Sequence, residues 1–117
     1  MAAVINTLQK SIQELWDDYY FLTKEMGKFL ELQDMELFAE LLEQRETLQK
    51  MIEAAQDDDF ALSDSGKELL QTIQKANQNV VLKLQYLINN SRNQHNISRA
   101  YDGLGTDFVG NRMDRQT

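Results

Sequence analysis

Apolar residues recur in the first third of the chain at Ile5, Leu8, Ile12, Leu15, Tyr19, Leu22, Met26 and Phe29, in steps of 3, 4, 3, 4, 3, 4 and 3. That alternation is an a/d heptad, the seam of helices that cross at a shallow angle. It predicts one helix over about residues 3–32, roughly 45 Å long at ~1.5 Å per residue. Trp16 and Leu30 widen the stripe, and Gly27 loosens the helix near its end.

A turn is expected at residues 32–34, where the Asp34 side chain can accept from a free amide of the next helix and Glu36 suits its positive end. The second helix should cover about residues 35–56 with the stripe Phe38, Leu41, Arg45, Leu48, Ile52 and Ala55, one member of which is charged. The run DDDFALSDSG then interrupts the pattern, because three successive aspartates oppose the negative end of a helix. Either Ser63 or Ser65 can cap a third helix, and Ser65 has Glu68 at capping-box spacing. That helix carries Leu70, Ile73, Asn77, Val80, Leu84 and Leu87, after which the seam turns polar at Ser91, Gln94 and Ser98.

These stretches predict an all-α fold, an antiparallel three-helix bundle in up-down-up order, because short connections force neighbouring helices to reverse. The third helix either continues to about Tyr101 or breaks near Asn89 and Asn93 into a short fourth helix. Residues 1–101 form the bundle domain of this reading. Residues 102–117 hold three of the five glycines and read as a flexible tail.

Composition narrows the function. The 117 residues suit one domain, and a hydrophobic share of 42% suits a real core. The absence of cysteine excludes disulfides, thiolate zinc sites and cysteine nucleophiles, and a single histidine leaves no imidazole pair for a metal. A net charge of −7 argues against nucleic-acid binding, which needs a basic face. No apolar run has the length of a membrane span and no signal peptide is evident, so a cytoplasmic location is expected. Charge is uneven: residues 1–60 hold 5 basic and 14 acidic side chains, and residues 61–117 hold 7 and 5.

Candidate chemistry is sparse. An EF-hand register from Asp57 places Asp59, Ser63, Ser65 and Glu68 at ligand positions, but it fails at Ala61 and at Leu62, where the sharp turn needs glycine. His95 has no nucleophile scaffold near it, and the glycines form no phosphate loop. The expectation is a protein that is not an enzyme and uses no metal or cofactor. Arg45 and Asn77 stand out as polar members of apolar stripes. Arg45 is expected either to pack its stem while its head escapes or meets a carboxylate, or to form a buried ion pair with a seam carboxylate that fixes helix register, and Asn77 can set register likewise.

Apolar residues off the seam point to a partner surface. Phe21 faces away from the first stripe, while Leu82, Tyr86 and Ile97, with Tyr101 at the margin, lie opposite Ile73, Val80 and Leu84. Arg92 and Arg99 on the same segment can steer an acidic partner. A tail contact through Leu104, Phe108 or Val109 is the alternative cover for this stripe.

The run DMELFAELLEQRETLQKMI, the acidic loop, LSDSGKELLQTIQKANQNV and the final SRAYDG resemble FliT-type flagellar export chaperones over about residues 10–105. The resemblance implies a small acidic cytoplasmic helical bundle that binds a filament-cap export substrate and docks to the export ATPase apparatus of the type III system. FlgN-type chaperones of hook–filament junction proteins are a similar family and the close alternative. From another class, a structural coiled-coil dimer would pair the first-helix seam with a second chain; monomer and homodimer both stay open.

Overall fold

The computed structural model describes residues 10–55 and 59–90, together with Val109. Among these residues the structure is all-helical, as the periodicity predicts: α1 (Ile12–Glu31), α2 (Met35–Ala55), α3 (Asp59–Leu62) and α4 (Asp64–Asn90). α1 packs along both α2 and α4, and the single turn of α3 sits against α4.

The heptad predicts a first helix from about residue 3, but α1 begins at Ile12. Ser11 is its N-cap, with extended backbone at φ −69° and ψ 161°. The Ser11 hydroxyl accepts from the Glu14 N–H at 3.1 Å, and the Glu14 carboxylate accepts from the Ser11 N–H at 3.4 Å. This reciprocal capping box satisfies two helix-end amides locally and prevails over the continuous stripe. Ile5 and Leu8 lie outside the described residues.

The chain turns between α1 and α2 through a Schellman motif. The Gln33 N–H donates to the Leu30 carbonyl and the Asp34 N–H to the Phe29 carbonyl, each at 2.9 Å. Gln33 takes the left-handed conformation at φ 57°. Asp34 then starts α2: its carboxylate accepts from the Leu37 N–H at 3.1 Å and its carbonyl from the Phe38 N–H at 3.0 Å. This is the capping role expected of it.

Within the acidic interruption, Asp59–Leu62 is helical rather than irregular. Of the two serines able to cap the next helix, Ser63 does so. Its hydroxyl accepts from the Gly66 N–H at 3.0 Å and its carbonyl accepts from the Lys67 N–H at 2.9 Å. Ser65 lies inside the first turn of α4, so the Ser65–Glu68 spacing is not used as a cap.

The core has two apolar clusters. The first joins Leu15, Trp16 and Tyr19 of α1 to Ile52 of α2, Ala61 of α3, Leu70 and Ile73 of α4, and Val109. The Trp16 and Tyr19 rings meet edge to face at 5.6 Å, a favoured aromatic geometry. The second joins Met26 and Leu30 of α1 to Phe38 of α2 and Val80 and Leu84 of α4. α4 is continuous to Asn90, so a break further on lies outside the described residues. So does the expected tail, except at Val109, which is helical and only 3% exposed.

Candidate functional site

The off-seam residues of α4 are exposed as expected. Leu82 is 61% and Tyr86 67% accessible, whereas Ile73, Val80 and Leu84 on the other side of the helix are buried. Both line a surface groove of about 370 Å³ with Lys83 and Leu87 of α4. The opposite wall comes from Leu30 and Glu31 at the end of α1 and from Gln33 in the turn. The Lys83 ammonium meets the Glu31 carboxylate at 2.6 Å, tying the two walls together. Both side chains are well solvated, so the pair contributes little stability, about 0–1 kcal/mol. It gives the groove a polar rim of both signs over an apolar lining.

The sequence shows Leu82 and Tyr86 but not the other wall. Leu30 reads as seam, and Glu31, Gln33 and Lys83 read as ordinary surface. They become a groove because the Schellman turn ends α1 beside the last turns of α4. Phe21 is 55% exposed on α1 and does not line the groove. Arg92, Ile97, Arg99 and Tyr101 lie outside the described residues, as do Leu104 and Phe108. Val109 packs in the first cluster, with Leu15 and Ile52, and does not line this groove.

Arg45 corrects an expectation. It is buried at 6% exposure, but its partners among the described residues are neutral rather than a carboxylate. One guanidinium nitrogen, Nη1, donates to the Thr23 hydroxyl at 3.0 Å and to the Asn77 side-chain oxygen at 2.8 Å. The guanidinium carbon stands 4.8 Å from the Tyr19 ring centroid, in cation–π contact. The Thr23 hydroxyl in turn donates to the Tyr19 carbonyl at 2.8 Å. Desolvation by burial pushes the Arg45 guanidinium below its ordinary pKa, a fall opposed by Tyr19 and Glu46. Arginine remains a cation at neutral pH all the same. Seam carboxylates are scarce because those of α1 and α2 lie off the apolar stripes, so hydroxyl, amide and ring do the solvating. Thr23 had no sequence signal beyond being a polar residue one place beyond Leu22.

Among the described residues, no group of three His, Cys, Asp or Glu side chains could hold a metal ion. No described helix is long and apolar enough to cross a membrane. The groove offers shape and apolar surface. Comparison of the chain with protein-family models, curated proteins and solved structures gives no match.

Proposed function

We propose that the chain is a cytoplasmic flagellar export chaperone of the FliT type, without enzymatic activity, that holds an amphipathic helix of a filament-cap export substrate. The observation that carries this reading is the groove at the α1–α4 junction, where Leu82 and Tyr86 stand exposed beside Leu30 and Leu87. A helix-binding groove needs apolar anchors spaced on one helix side, and Leu82 and Tyr86, four residues apart, supply that spacing. Docking of the loaded chaperone to the export ATPase apparatus completes the role.

The same reading takes the three long helices as an up-down-up bundle. The support is the order of core partners: Ile52, late in α2, joins the cluster of Leu15 and Leu70, and Phe38, early in α2, joins that of Leu30 and Leu84. The α1 seam residues Leu15, Tyr19, Met26 and Leu30 are buried within the chain, which disfavours a coiled-coil dimer through that seam.

The test is titration of the chain with C-terminal helical peptides of filament-cap and hook–filament junction proteins from its own cells. Binding of the cap peptide, weakened at least about tenfold by Tyr86→Ala with unchanged circular dichroism, is the expected result; truncating an aromatic anchor typically costs ~2 kcal/mol. Preference for the junction peptides would replace the reading with the FlgN type. Indifference to both sets overturns it.

A further inference from the structure

The seams that hold the three long helices together repeat every seven residues and are almost uniformly apolar. Sliding α4 by one heptad along α1 and α2 would put Leu70 or Leu84 where Asn77 stands; in the second case Val80 takes the place of Ile73 and Leu87 that of Val80, so the seam stays apolar at those three levels. A seven-residue slide is about 10.5 Å at ~1.5 Å per residue. Hydrophobic burial is non-directional and does little to distinguish such arrangements.

One level of the core does distinguish them. Each long helix contributes one polar residue there: Thr23 from α1, Arg45 from α2 and Asn77 from α4. The layer stands between the two apolar clusters. Its acceptors converge on a single guanidinium nitrogen at 3.0 Å and 2.8 Å. Any slide separates Asn77 from Arg45 and leaves a cation facing leucine, and a buried charge without its hydrogen-bond partners is strongly penalised. The native arrangement is the one that keeps these three residues at a common height.

We propose that Thr23, Arg45 and Asn77 form a register lock, which selects the alignment of α4 against α1 and α2 at the expense of stability and thereby sets Leu82 and Tyr86 opposite Leu30 and Glu31. The lock concerns the bundle itself and holds whatever occupies the groove.

Disulfide trapping tests it, helped by the absence of native cysteine. A Cβ at Gly27 would lie 3.6 Å from Val80 Cγ2, so Gly27→Cys with Val80→Cys reports the native register. Gly27→Cys with Leu87→Cys reports a one-heptad slide, because in the native register a seven-residue offset exceeds the reach of a disulfide. With the polar layer intact, oxidation should join 27 to 80 and leave the 27–87 pair reduced. In an Arg45→Met, Asn77→Leu background the chain should stay helical, melt no lower, and form the 27–87 bond in yield comparable to 27–80. The exchanged pair Arg45→Asn, Asn77→Arg keeps a polar contact at the same height and should restore 27–80 alone. Two results overturn the proposal. If the apolar variant forms only 27–80, the layer is dispensable for register. If that variant unfolds, the layer is a source of stability instead.

Discussion

A Cβ placed on Gly66 would fall 1.7 Å from the carbonyl oxygen of Phe60, inside the corner between α3 and α4. The obstacle is backbone, which cannot swing aside as a side-chain tip can. Gly66→Ala should therefore force the corner open and loosen the Ser63 cap, whose hydroxyl accepts from the Gly66 N–H. We expect a loss of about 2–3 kcal/mol, in the range of overpacked sites. Urea denaturation followed by circular dichroism measures it, and an unchanged midpoint would refute the account of this corner.

Gly27 presents the opposite case. It is buried in the middle of the last turns of α1, but its would-be Cβ meets only Lys83 Nζ and Val80 Cγ2, both at 3.6 Å. That is ordinary contact, and the backbone is helical. Gly27→Ala should raise stability by about 0.5–1 kcal/mol through lost unfolded-state freedom and better helix propensity. A lower melting temperature would mean that α1 and α4 approach more closely than these distances indicate.

Gln33 holds the left-handed position of the Schellman turn at φ 57°, where glycine carries no Cβ penalty. Gln33→Gly should stabilise the chain by about 0.5–1 kcal/mol after the entropy of the added glycine is deducted. Gln33→Val, β-branched at the same angle, should do the reverse. Thermal melts of the pair against the parent give the sign directly.

Val109 is buried among Leu15, Trp16, Ile52 and Ile73. An aspartate there would bring an unpaired charge against the first cluster. Val109→Asp should cost about 3 kcal/mol and leave groove ligands unaffected in the folded fraction. Equal stability of the variant and the parent would show that the first cluster holds without this contact.

Much of the fold was legible because it is encoded locally. The 3/4 steps of Leu70, Ile73, Asn77, Val80 and Leu84 describe α4 as it forms, and Asp34 caps α2 as its position foretold. Where two local signals compete, the periodic stripe is the weaker guide. The heptad through Ile5 and Leu8 overshadowed the Ser11–Glu14 capping box, although that spacing was visible. Ser63 and Ser65 are both legible as caps of α4, and the choice of Ser63, whose hydroxyl accepts from the Gly66 N–H, is not. The polar seam was legible at Arg45 and Asn77, but its chemistry was not. Whether an arginine meets a carboxylate or a hydroxyl depends on which side chains three helices bring to one height. The groove shows the same limit, since Leu82 and Tyr86 announce themselves and Glu31 and Gln33 do not.

Asp34 closes α1 and opens α2 with one residue, which has a bearing on how the chain assembles during synthesis. Every bond of that junction spans only a few positions, so α1 and α2 can pair as soon as both have left the ribosome, with little loop entropy to overcome. Arg45 must then wait for Asn77, 32 positions later, with Thr23 as its early side-chain hydrogen-bond partner. Arrival of α4 supplies the second acceptor, so the hydrogen-bond partners of Arg45 are complete only once the last long helix is in place.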